Sequence, residues 1–153
     1  MKVGDVLRKE REQRKLTVAD VVSRLGVSEA EYEELEGGDS PAEKWGAVLA
    51  RAAIKLETPL SRLISETGKS DAAKEGQVGK LVGRHRERRG ESRDAMAEYL
   101  NISRDEYDSL EAGKLPIEHY GRVLLAFAEM IDRSVFDLFY PCGLSLDKLE
   151  DYP

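Results

Sequence analysis

The side chains able to do covalent or metal chemistry are few and poorly placed for it. Cys142 is the single cysteine, so the chain can form no disulfide framework and no thiolate cluster of its own. Its expected role is that of a small, half-buried hydrophobe. His85 stands in the run R-H-R-E-R-R and His119 lies well downstream, neither at metal-ligand spacing from a cysteine or from the other. The sequence contains no phosphate-cradling G-x-x-x-x-G-K-[ST] and no G-x-S-x-G nucleophile elbow, and Gly37-Gly38 reads as a helix stop. No catalytic residue, metal site or cofactor is therefore expected, and the chain is read as a non-enzyme. What remains is the chemistry of charge. One short segment carries Glu29, Glu31, Glu33, Glu34 and Glu36, while its counterpart opens on Arg104, with Arg93 before it and Lys114 after it. Cations neutralise phosphate and release its counterions; carboxylates forfeit that gain.

These charges sit on a repeat. Slid against itself by 75 residues, the chain aligns 3–64 with 78–139 without a gap, pairing Gly4 with Gly79, Arg11 with Arg86, Leu25 with Leu100, Ser28 with Ser103, Tyr32 with Tyr107, Glu36 with Glu111, Pro41 with Pro116, Glu43 with Glu118 and Gly46 with Gly121. Within each copy the apolar spacing is helical and strand signals are absent. A first helix runs from about Val3 to Arg14. Thr17 and Ser92 are the expected N-caps of a second, which stops at Gly26 or Asn101 in a left-handed turn. Ser28 and Ser103 cap a third, each with a glutamate three residues on (Glu31, Glu106), the spacing of a capping box. Pro41 and Pro116 precede a longer fourth helix, and a short fifth follows around Leu60–Ile64 or Val135–Phe139. Trp45 and the tyrosines fall at apolar helical positions, which reads as core.

The expected organisation is thus all-α: an N-terminal unit over residues 1–66, a linker over 67–77, a second unit over 78–139 and a tail over 140–153. The linker segment T-G-K-S-D-A-A-K-E-G-Q is polar, with no apolar period. In the tail, Leu144, Leu146 and Leu149 are expected to pack on the second unit, the alternatives being a partner or a lead into a further domain. No apolar run is long enough to span a membrane and no secretory leader is seen, so a cytoplasmic location is expected. The net charge is −6, which warns against a wholly basic surface without excluding a local basic stripe.

Two helices joined by a tight turn, the second opened by a Ser cap, form the helix-turn-helix pattern. Arg11 and Arg14, Leu16-Thr17, L-G-V-S at Leu25–Ser28, Y-x-x-L-E-x-G at Tyr32–Gly38 and Pro41 resemble the Cro/C1-type (XRE) family of helix-turn-helix regulators. In the second unit Arg86, Arg89, Ser92, Leu100–Ser103, Tyr107–Gly113 and Pro116 carry the same resemblance. It implies two tandem five-helix, lambda-repressor-like domains. It also implies internal ion pairs of Arg11 with Glu36 and Arg86 with Glu111, which removes those four residues from any count of DNA contacts.

For DNA the resemblance points to three places: the start of helix two, the outer face of helix three, and the loop after it. In the first unit these are Val18, then Glu29, Ala30 and Glu34, then Asp39-Ser40. In the second they are Arg93, then Arg104, Asp105 and Ser109, then Lys114-Leu115. The family's usual Gln after the helix-two cap is absent from both. The expected reader of double-stranded DNA is therefore the second unit, with Arg104 on a base, Arg93 and Lys114 on phosphate, and Asp105 and Ser109 on the same face. Arg84, Arg88 and Arg89 add a basic first helix to that side of the balance. A homodimer, or a pseudo-dimer of the two units, is the expected assembly. The rival reading is a protein-interaction or accessory module that has kept the scaffold and lost its DNA face, the acidic first unit taking a basic protein partner.

Overall fold

A computed structural model describes residues 1–144, and no strand occurs among them. The helices are α1 (Val3–Gln13), α2 (Val18–Leu25), α3 (Glu29–Gly37), α4 (Ala42–Leu56), α5 (Leu60–Ile64), α6 (Gln77–Arg88), α7 (Arg93–Leu100), α8 (Arg104–Glu111) and α9 (Ile117–Met130). Short 3-10 turns lie at Ser70–Ala72, Val135–Leu138 and Tyr140–Cys142. The described residues are all-helical, and the fifth element of the second copy is a 3-10 turn where the sequence predicts a short α-helix. Leu146 and Leu149 lie outside the described residues; Leu144 packs against the core.

Local chemistry sets the helix ends. The Thr17 hydroxyl accepts the Asp20 N–H at 3.0 Å, and Asp20 returns the favour by accepting the Thr17 N–H at 2.9 Å. Gly26 and Asn101 stop α2 and α7 at φ 70° and 58°, the left-handed cap read from the sequence. At Ser103 the capping box closes in full, Ser103 Oγ taking the Glu106 N–H and Glu106 Oε1 taking the Ser103 N–H. At Ser28 only half of it forms: the hydroxyl accepts the Glu31 N–H at 3.1 Å, but the Glu31 carboxylate turns away to meet His119 Nε2 at 2.7 Å.

Within each unit the first helix crosses the third at backbone contact. A Cβ on Gly4 would stand 2.1 Å from the Leu35 carbonyl oxygen, and one on Gly79 would stand 2.3 Å from that of Leu110. Only glycine allows that approach, which explains its place in both copies. The freed N-terminal donors of the first helix are taken by the fourth. Glu43 accepts the Val3 and Gly4 N–H groups at 3.0 and 2.9 Å, and Glu118 accepts those of Val78 and Gly79 at 3.1 and 2.9 Å. Burial nevertheless pushes the Glu118 carboxyl above its ordinary pKa.

The two units do not stand apart on a free linker. One apolar core runs through both, from Val3, Leu7 and Tyr32 through Leu49, Leu56 and Ile64 to Leu124, Phe127 and Phe139. α4 packs on α9, and the contacts are reciprocal across the repeat. A Cβ on Gly46 would meet Leu124 and Phe139, and one on Gly121 would meet Leu49 and Ile64, the equivalent residues. Lys44 Nζ lies 2.8 Å from Glu106, and His119 Nε2 lies 2.7 Å from Glu31, again the same pair of positions. Arg14 donates to the Ile131 carbonyl at 3.4 Å, and its counterpart Arg89 to that of Glu57, one position beyond the equivalent residue, at 3.2 Å. Contacts that repeat with partners exchanged are the signature of an isologous, two-fold-like interface. The polar segment between the units is also docked: the Ser70 N–H and hydroxyl both donate to the Glu129 carboxylate on α9. Trp45 and Tyr107 are core, as their spacing suggested, whereas Tyr99 and Tyr140 are exposed.

Candidate nucleic-acid interface

In the second copy of the repeat the elements at the positions of α2 and α3 are α7 and α8, joined by a turn at 101–103. Its scaffold is fixed by an ion pair beneath α8. Arg86 Nε reaches Glu111 Oε2 at 2.6 Å and Arg86 Nη2 reaches Oε1 at 3.3 Å, while Nη1 donates to the Glu91 carbonyl at 3.0 Å. The Tyr107 hydroxyl donates to the same carboxylate, and burial together with Glu111 drives the phenol pKa far up. Arg11, Leu16 and Glu36 repeat the arrangement in the first unit, with Arg11 Nε 2.6 Å from Glu36 Oε2. These pairs hold α1 to α3 and α6 to α8, so they belong to the frame and not to the outer surface.

On that frame Arg93 opens α7 and Arg104 opens α8, and the fold brings them together at one carboxylate. Arg93 Nη1 lies 2.9 Å from Asp108 Oδ1, and Arg104 Nε lies 3.0 Å from the same oxygen. Arg93 Nη2 also reaches Glu111 at 3.2 Å, and Arg104 Nη1 reaches Asp94 at 2.7 Å. The two guanidiniums hold the Asp108 carboxyl below its usual pKa, the hydrogen bond from Arg93 being the largest single cause, and Asp94 followed by Asp108 raises that of Arg104. The Arg104–Asp108 contact was legible as a four-residue helical spacing. Asp94 was missed, because the turn that swings α8 back over α7 is what places it beside Arg104.

Asp105 is exposed and Ser109 half-exposed one helical turn further on, so they share a stripe of α8. Lys114 is exposed beyond the end of α8 and lines a separate hollow with Lys74, Glu75 and Arg122. The structure thus joins Arg93 to Arg104 and leaves Lys114 apart from them.

Arg84, Arg88 and Arg89 do not join this surface. Arg84 and Arg88 are one turn apart on α6, on the side away from Arg86 and therefore away from α8. Arg84 pairs with Glu66 at 3.1 Å and Arg89 with Glu57 at 2.8 Å, both of the first unit. Helical periodicity could have shown that Arg84 and Arg88 oppose Arg86, but not that α5 would lie against them.

The matching surface of α3 is different in kind. Glu29, Ala30, Glu33 and Glu34 are exposed, Asp39 is exposed beyond the helix, and α3 itself carries no cation. Glu31 is drawn to His119, and with Glu34 it raises the Tyr120 phenol pKa after the larger effect of burial. The Ser40 hydroxyl, expected in the contact loop, is spent on the Ala42 N–H at 3.1 Å at the start of α4, and the residue is buried.

Elsewhere, no group of three metal-ligating side chains gathers among the described residues, and no described helix is long and apolar enough to cross a membrane. The Cys142 thiol is half-buried, contacts the Leu138 carbonyl at 3.6 Å, and has its pKa raised chiefly by burial.

Compared with known families, residues 2–59 match the model of a helix-turn-helix domain, which spans α1 to α4 and ends just before α5. No curated protein and no solved structure matches the chain. Over residues 2–59 the chain therefore contains a helix-turn-helix domain.

Proposed function

We propose that this protein is a non-catalytic, DNA-binding transcriptional regulator of the Cro/C1 (XRE) kind. Its working parts are two tandem helix-turn-helix units over 1–66 and 78–139, and the second of them reads double-stranded DNA in the cytoplasm. The observation that carries this reading is the convergence of Arg93 and Arg104 on Asp108 at the outer start of α8, where α3 offers only carboxylates. A guanidinium held on one edge by a carboxylate is already ordered, and it keeps other donors for a second acceptor. The Nη2 of Arg104 bonds to no described residue and points the assignment to a base, guanine being the acceptor an Arg fork fits best. Arg93 and Lys114 are assigned to phosphate, and Asp105 and Ser109 to the groove face between them, a carboxylate there accepting from cytosine. The reciprocal Lys44–Glu106 and His119–Glu31 pairs support a single chain standing in for a two-fold dimer.

The test is binding to mixed-sequence duplex DNA across a salt series. A reader making about 6–10 phosphate contacts tightens by about three to five orders of magnitude between about 200 and 50 mM salt. Absence of binding at the low end sinks the proposal.

A second reading is favoured by a specific observation: both candidate arginines are already ion-paired, and the exposed carboxylates of α3 face outward unpaired with any cation of their own helix. On that reading the protein is an accessory module whose first unit docks a basic protein partner. Salt-sensitive binding to a polycationic protein, with none to duplex DNA, is the result that would select it.

A further inference from the structure

Between α5 and α6 lies a groove of about 520 Å3 whose charged side chains are mainly cationic, four arginines against two glutamates. Arg84, His85 and Arg88 line it from α6, Arg89 from that helix's C-terminal cap, and Arg62 from α5. We propose that this groove binds a small polyanion carrying phosphate groups, at a site separate from the α8 surface.

Charge makes the first argument. Glu66 answers Arg84 and Glu57 answers Arg89, but Arg62 and Arg88 pair with no carboxylate among the described residues. The groove is left with two guanidinium charges in excess, in a protein whose net charge is −6. Guanidinium forks match phosphate oxygens two at a time, and several of them converging from two elements make a ready-built anion receptor.

His85 reports the field inside the groove. It is half-buried, and its pKa is lowered first by that burial and then by Arg88, Arg84, Arg89 and Arg62. Four guanidiniums acting on one imidazole describe a concentrated positive potential, with Glu57 and Glu66 too few to cancel it. Direction makes the third argument. Arg84 and Arg88 stand opposite Arg86, which points to Glu111 under α8, so a duplex on α8 lies on the far side of α6. That geometry selects a small anion over the backbone of the DNA being read. Nor is the feature common to the scaffold. The equivalent positions in the first unit are Lys9, Glu10 and Gln13 on α1 and Arg14 just past it, with Asp137 at the position of Arg62, a mixed set with no cationic excess.

The experiment is titration of the full chain with inorganic tripolyphosphate at constant ionic strength, followed by calorimetry and by imidazole NMR. The chain has two histidines, so each is resolved as its own probe. The expected result is saturable binding that moves the His85 resonances, raises its pKa, and leaves His119 unmoved. The double variant R62A/R88A, both residues being exposed, is expected to keep its melting temperature and lose roughly tenfold or more in affinity. Three results overturn the proposal: no binding beyond that of chloride at matched ionic strength, affinity undiminished in R62A/R88A, or a short DNA duplex that displaces tripolyphosphate and moves His85 equally. The last would make the groove part of a nucleic-acid surface.

Discussion

Glu111→Gln tests the frame and the joining of the units at once. The exchange keeps shape and removes charge from a carboxylate 8% exposed, paired with an arginine 11% exposed. Arg86 loses its counter-charge at 2.6 Å, the new amide brings donors to donors, and the Tyr107 hydroxyl loses the charge of its acceptor. Breaking one side of a buried pair costs about 3–5 kcal/mol. The lower end applies here, because Nη1 keeps the Glu91 carbonyl and the pair retains some solvent. At about 2–4 °C per kcal/mol for a chain of this size, about 3 kcal/mol lowers the melting temperature by roughly 6–12 °C. The assay is thermal unfolding followed by far-ultraviolet circular dichroism and by the fluorescence of Trp45, the single tryptophan, which lies in α4 of the other unit. With one core through both units, the two signals fall together in the variant, displaced by the same amount. Glu36→Gln, its equivalent, is expected to act on the same single transition with similar size. A Trp45 transition left in place while the helical signal moves would refute the shared core; no shift in either would refute the energetic role of the pair.

The glycines separate two kinds of close approach. Gly79→Ala drives a Cβ to 2.3 Å from the Leu110 backbone oxygen and is expected to cost about 1–3 kcal/mol or more in denaturant unfolding. Gly121→Ala meets only the Leu49 and Ile64 side chains at ordinary distance, 3.4 and 3.5 Å, and should be neutral or stabilise by up to about 1 kcal/mol through helix propensity; equal losses for both would contradict the geometry. In a binding assay on selected duplexes, Arg104→Ala should relax base preference while Lys114→Ala weakens all sequences alike, and equal, negligible effects would remove both from the interface. His85 titrates below its ordinary value in the folded state, so the unfolded state binds the proton first as pH falls. Its contribution is intact above about pH 6.5 and is lost as pH falls from there through the lowered pKa, so stability drops in that window and His85→Gln flattens the drop. An unchanged slope in the variant would show that His85 does not sense the groove.

What could be read in the residues was what acts over a few positions of chain. The caps at Thr17, Ser92 and Ser103 and the left-handed stops at Gly26 and Asn101 depend on neighbours within one turn, and they stand where the spacing put them. The repeat marked Gly4, Gly79, Glu43 and Glu118 as paired positions but gave no reason for them. That reason is a backbone crossing and a carboxylate cap reaching 39 or 40 residues along the chain. A periodic pattern says which residues share a face, and is silent about what that face meets. The basic helix one was visible as Arg84, Arg88 and Arg89, yet its direction away from α8 follows from Arg86 being committed to Glu111.

The sequence by itself therefore determined an all-helical protein with a helix-turn-helix and a charge contrast between two copies of one short helix. Tertiary structure decided what those charges do. It diverted Glu31 from its own capping box to His119, 88 residues away, and it set Asp94 and Asp108 on Arg104. It also closed a polar segment against α9 and gathered four arginines around His85. The physical reason is range. Hydrogen-bond caps and helical spacing are satisfied locally, whereas the partner of an exposed charge is chosen by how two halves dock. That docking is set by the apolar faces of α4 and α9, which carry none of the charges they bring together.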